Sequence, residues 1–197
     1  MKIQLSDNFT YKKLLQFTLP SIVMMIFTSI YGVVDGFFVS NYVGKTPFAA
    51  VNFIMPFLMM LGAIGFMFGT GGSALIAKTM GEGHLEKAKR LFSLFVYVSA
   101  ACGILIAALG ILFVGPVAAA LGAEGEMLDC CILYGRIILF AMPAFMLQYE
   151  FQSFFVVAQK PQLGLAVTIA SGVTNMVLDA VFVAILDFGI EGAAAAT

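Results

Sequence analysis

Three carboxylates sit where the surrounding sequence is almost wholly apolar: Asp35 in "GVVDGFFVS", Glu150 in "QYEFQSFF" and Asp179 in "TNMVLDAVFVA". An ionised acid at hydrocarbon depth costs roughly 3 kcal/mol on insertion scales, so each must face an interior or a cavity and have a partner or a proton. Asn175 precedes Asp179 by one helical turn and shares its face, and Thr28, Tyr31 and Asp35 fall on one face by the same rule. Eighteen residues separate Phe17 from Asp35 and sixteen separate Leu163 from Asp179. At about 1.5 Å per residue, both acids lie roughly 25 Å along their segments. If those segments are neighbours, their carboxylate, amide and hydroxyl oxygens form a small pocket suited to a cation or a proton.

The elements that must position these groups follow from composition. Of 197 residues, 61% are hydrophobic and 11% charged, and mean hydropathy is +1.03, outside the range of a soluble domain. Five runs are long enough to cross a bilayer as helices, at about 20 residues each: 17–39, 49–77, 91–114, 132–158 and 163–186. Outer-membrane strands would alternate apolar and polar residues, whereas Thr46 to Ala77 is a continuous uncharged stretch. An all-α polytopic membrane bundle is expected, one membrane domain over 1–197 with a short cytoplasmic segment, 1–13, ahead of it. The first run reads as a retained span, being long for a signal core, with an acid in its n-region and no small-x-small cleavage site. Lys2, Lys12, Lys13, Lys78, Lys87, Lys89, Arg90 and Lys160 fall on one side of this arrangement, and Lys45 and Arg136 on the other. The excess of basic residues predicts that the first side, with the N-terminus, is cytoplasmic. The net charge of −1 hides that asymmetry.

Other features read as mechanical. The spacings Gly32/Gly36 and Gly65/Gly69 are small-xxx-small patterns that let helix backbones approach closely. "GFMFGTGG" does not fit a nucleotide-binding fingerprint and has no strand before it. Pro20, Pro56 and Pro143 lie within spans, where kinks are tolerated. Cys102 reads as a small apolar packer, adjacent Cys130 and Cys131 as thiols, and His84 as part of a solvated basic connection. An intramembrane enzyme would need a nucleophile with a base, or a metal cluster. With one histidine, in a loop, no catalytic residue is expected.

Four stretches, "LPSIVMMIFTSIYGVVDGFFVSNYVG", "AAVNFIMPF…GTGGSALIAKTMGEG", "MPAFMLQYEFQSFFVVAQKP" and "TNMVLDAVFVAILDFGIEGAAAAT", resemble in order the amino-terminal lobe of the multidrug and toxic compound extrusion (MATE) family of cation-coupled efflux transporters. The resemblance implies two six-helix lobes around a central cavity open alternately to either side. It implies that Asp35, Asn175, Asp179 and Thr197 form the amino-lobe cation site, with H⁺, or Na⁺ held at Asp35 and Asp179, as coupling ion and no other cofactor or metal. The chain ends at the first turn of a sixth helix, which carries Thr197, so a carboxy-terminal lobe is the implied missing partner. Tyr31, Gln148, Glu150 and Gln152 are possible substrate or cavity residues. For Glu150, in the cytoplasmic half, the other reading is an acid satisfied by its neighbours. The expected function is export of organic, often cationic, compounds from a cell membrane, with the bilayer and a small organic substrate as partners and no nucleic acid. A lipid-linked sugar flippase of the same superfamily, which should carry cavity arginines, and a non-transporting fragment are the alternatives.

Overall fold

The structure, a computed structural model, describes residues 11–197. Those residues form helices and no strand: α1 (Tyr11–Phe38), α2 (Lys45–Gly81), α3 (Leu85–Leu121), α4 (Gly125–Phe140), α5 (Met142–Val157), α6 (Pro161–Asp179) and the short α7 (Gly189–Ala196). Two π-helical stretches, Val39–Val43 and Ala180–Ile185, continue α1 and α6. Four helices, the first and sixth with their π stretches, are long and apolar enough to span a membrane, and the α4–α5 pair, bent by 55°, passes the same test when taken as one unit. Against the runs read from the sequence, α1 with its π stretch, α2 and α3 extend further at both ends, whereas α5 ends at Val157 and the second π stretch at Ile185. Residues 1–10 of the expected cytoplasmic segment, Lys2 among them, lie outside the described residues, and α1 already begins at Tyr11.

The break in the α4–α5 pair has a covalent cause. Pro143 has no amide hydrogen to return to Leu139, and a proline disfavours α geometry in the residue before it. The chain turns at Ala141, whose carbonyl then accepts from Ala144 at 2.9 Å and Phe145 at 3.2 Å, starting a new helix. Pro20 and Pro56, by contrast, lie inside unbroken helices. The π stretches show as amides bonding five residues back, Gly44 to Val39 at 3.2 Å and Leu186 to Val181 at 2.9 Å. Gly44 adopts φ 120°, a turn closed to side-chain-bearing residues, and lets α2 start directly after the first π stretch.

Packing divides the bundle into two parts. α2, α3 and the bent α4–α5 pair pack on one another around Ile54, Leu58, Val114, Tyr134, Leu139, Met142 and Met146. α1 packs chiefly on α6, and that pair joins the rest through α5, α7 and the π stretches. In lipid, helix association depends on close van der Waals fit rather than on burial from water, and glycines supply the fit. A Cβ on Gly65 would stand 2.6 Å from the Met146 Cα, one on Gly69 3.0 Å from the Glu150 Cα, and one on Gly103 2.7 Å from the Pro143 Cα. The Gly65/Gly69 expectation is thus met at the α2–α5 contact. The Gly32/Gly36 expectation is corrected: a Cβ on Gly32 meets nothing within 4 Å, because α1 turns its Phe27 and Tyr31 edge, not its glycines, toward Gly172 of α6.

Candidate functional site

Most polar side chains on these spans are satisfied by their own helix. Asn41, Asn52, Thr70 and Thr174 each donate to the carbonyl four residues back, at 2.8–2.9 Å. Such groups need no outside partner, since the backbone carbonyl replaces water. The exceptions are few. Eight buried side-chain oxygens among the described residues have no hydrogen-bond partner, and five of them belong to Asp35, Tyr134, Asn175 and Asp179. Orphaned buried oxygens are costly and in a folded protein call for an explanation, an unseen ion or proton being one.

The elements bring these residues together at the end of the bundle where the π stretches begin. Asp35 lies one turn before the first π stretch and Asp179 immediately before the second. π segments are frequent at functional sites, where they re-aim side chains and leave backbone groups less constrained. Asp179 is fully buried with neither carboxylate oxygen engaged, and Asp35 is half-buried with one oxygen orphaned. α1 and α6, which carry the two acids, pack directly on one another. Asn175 donates its amide to the Ala196 carbonyl at 3.1 Å, which ties α6 to α7 and leaves its own carbonyl oxygen buried without a partner. Thr197 follows directly, exposed, its hydroxyl donating to Ala193 at 3.0 Å. The α7 sequence "GIEGAAAA" permits this docking. Gly192 admits no side chain beside the Phe182 carbonyl, 3.1 Å from where a Cβ would stand, and Ala193 and Ala194 bury against the core.

Tyr134 of α4 is the residue that the sequence reading missed. Its ring is buried in the core, and its hydroxyl lies beside Asp35, Asp179 and Thr197 without a fixed partner. No local signal in "CILYGRIILF" distinguishes it from a packing aromatic; only the tertiary fold puts it opposite two acids. Tyr31 sits half-buried on α1 between Asp35 and Tyr149 of α5, whereas Thr28, expected on the same face, is exposed. Gln148 and Gln152 are half-buried on α5. Glu150 is elsewhere: fully buried between α2 and α3, apart from the Asp35–Asp179 cluster.

Chemically, the cluster offers carboxylate, amide and phenol oxygens and no nitrogen ligand, a donor set that suits a proton or a hard cation rather than a transition metal. Among the described residues no three His, Cys, Asp or Glu side chains group to hold a metal ion. Two ionised carboxylates cannot share a dry site without a compensating positive charge, so the pair is expected to bind one.

Comparison with known proteins agrees with this architecture. The chain is 25% identical over 187 residues to the multidrug export protein MepA of Staphylococcus aureus (strain MRSA252), covering 95% of this chain and 42% of that protein. A crystal structure of MATE in the bent conformation superposes with a TM-score of 0.87 at 26% identity, over 94% of this chain and 42% of that one. The outward-facing conformation of a multidrug resistance MATE family transporter gives 0.85 at 25% identity, over 93% and 40%. The chain therefore spans less than half the length of the relatives it matches, and corresponds to an amino-terminal lobe. Residues 20–181, from within α1 to the start of the second π stretch and including both aspartates, match the MatE family, and the chain belongs to that family.

Proposed function

We propose that the protein is the amino-terminal lobe of a cation-coupled exporter of organic, often cationic, compounds, and that Asp35 and Asp179, with Asn175, Thr197 and Tyr134, hold the coupling H⁺ or Na⁺. The observation that carries this reading is the five unpartnered buried oxygens of Asp35, Tyr134, Asn175 and Asp179, three of them on the two carboxylates. With the cation bound, Asp35 on α1 and Asp179 on α6 are drawn together. Without it, repulsion favours their separation, and α1, which packs chiefly on α6, is the element able to move. A ligand shifts such an equilibrium only by its differential affinity for the two shapes, and a shared cation supplies that difference. Tyr31, Gln148 and Gln152 would line the path of the exported compound. The N-terminus would be cytoplasmic, the membrane the cell membrane, and a second lobe the opposing wall.

The test is efflux of a fluorescent cation from vesicles under an imposed H⁺ or Na⁺ gradient, with both lobes present. Asp35→Asn and Asp179→Asn should each abolish the gradient-driven rate while leaving the protein inserted. Full rates in both variants would refute the coupling role. Residues 1–197 alone should leave dye accumulation unchanged, because a single lobe has nothing to rock against.

A further inference from the structure

Of the three orphaned oxygens outside the cluster, two belong to Glu150 and one to Ser99. Both residues are fully buried. Glu150 is on α5 with its backbone pressed against Gly69 of α2, and the Ser99 hydroxyl of α3 lies beside its carboxyl. Among the described residues no third group engages any of these atoms.

Among the described residues no charge faces them, and Arg136 of α4 is exposed. On α2 there is no ionisable side chain between Lys45 and Lys78, on α6 none between Lys160 and Asp179, and on α3 between Arg90 and its end only Tyr97 and Cys102. Tyr97 is exposed, as is Tyr149 next to Glu150 on α5. An ionised Glu150 would receive one hydrogen bond from Ser99 and leave a charge in a dry interface without a counter-ion, which desolvation strongly disfavours. One proton removes the difficulty. The acid O–H donates to Ser99 Oγ, the Ser99 O–H returns to the acid carbonyl, and all three orphaned atoms are satisfied at once.

We propose that Glu150 and Ser99 form a second proton-binding site, held between α2, α3 and α5 and separate from the Asp35–Asp179 pair, in which the neutral acid fastens α5 to α3. Loss of this proton requires water, and water enters only if α5 separates from α2 and α3. The proton and the closure of this interface are therefore linked.

Infrared spectroscopy of the protein in lipid at neutral pH tests this directly. Uniform labelling with isotopic glutamate reports on Glu150, because Glu82, Glu86, Glu124, Glu126 and Glu191 are all exposed and Glu150 is the buried glutamate of the chain. The expected result is a protonated-acid carbonyl band that shifts with the glutamate label, vanishes in Glu150→Gln and moves to higher frequency in Ser99→Ala as its hydrogen bond is lost. Absence of a label-sensitive protonated band in the native protein would overturn the proposal even if Glu150→Gln failed to fold. A band unmoved by Ser99→Ala would overturn the pairing.

Discussion

The two buried acid sites differ in what surrounds them. Around Asp35 and Asp179 the wall is drawn from α1, α4, α6 and α7, two π stretches interrupt the backbone ladder beside it, and one of the acids is only half-buried. Around Glu150 the wall is three regular helices meeting at Gly69 and Ser99. The first has several unpartnered oxygens and a backbone that departs from α-helical pairing beside it; the second has one polar neighbour. A carboxylate that must take up and release an ion during a transport cycle needs the first environment. The second environment suits a proton kept as part of the packing.

The contrast is broken most severely by filling the tight side. Gly65→Leu puts a side chain where even its Cβ is 2.6 Å from the Met146 Cα and 2.9 Å from its carbonyl oxygen. Neither atom can yield without moving α5. Overpacking costs typically 1–3 kcal/mol where side chains can shift, and a backbone obstacle puts this variant above that range. Thermal unfolding in detergent should show loss of the folded protein for Gly65→Leu and a clear drop in Tm for Gly65→Ala. An unchanged Tm for Gly65→Ala would mean that α2 and α5 do not meet as described.

A smaller and more selective effect is expected on the open side. Asn175→Ala removes both a candidate cation ligand and the 3.1 Å bond that holds the Ala196 carbonyl. Leaving that carbonyl unsatisfied costs about 1–3 kcal/mol. Cation-dependent protection against unfolding should fall together with basal stability. If only stability fell and the response to H⁺ or Na⁺ were intact, Asn175 would be a tie between α6 and α7 and not a ligand.

Tyr134→Phe should separate those two properties. The native hydroxyl is buried without a hydrogen-bond partner, so its removal relieves a desolvation penalty and should raise stability measured without added cation by about 1 kcal/mol. The same change takes an oxygen from the site and should weaken the cation response several-fold. Stability and cation response moving in the same direction would show that the hydroxyl has a structural partner instead.

The sequence disclosed the spans, because runs of some 20 apolar residues are read from composition alone, and it disclosed the acids, because a charge in such a run stands out. It also placed Asn175 and Asp179 on one face, which follows from 3.6 residues per turn within a single helix. What it could not disclose depends on contacts between helices. Tyr134 is one aromatic among many until α4 is set against α1 and α6. The choice between Gly32/Gly36 and Gly65/Gly69 as the packed pair is invisible in spacing, since both pairs have it. The π stretches carry no composition signature, and "VSNYV" and "AVFVAI" read as ordinary span ends.

That glycine ambiguity supplies the mildest test of the comparison. Gly32 and Gly36 have the same spacing as Gly65 and Gly69, yet a Cβ on Gly32 meets nothing within 4 Å and one on Gly36 meets only the Phe48 ring at 3.7 Å, an ordinary contact. Alanine should therefore be accommodated at both. It should even help slightly, since glycine in a helix interior is worse than alanine by up to about 1 kcal/mol. In the 197-residue chain, Gly32→Ala and Gly36→Ala should leave Tm unchanged or a little raised, against the clear loss for Gly65→Ala. A marked loss for Gly32→Ala alone would place a further helix or a second molecule against that face of α1, and the open side of the bundle would then be less open than the side that holds Glu150.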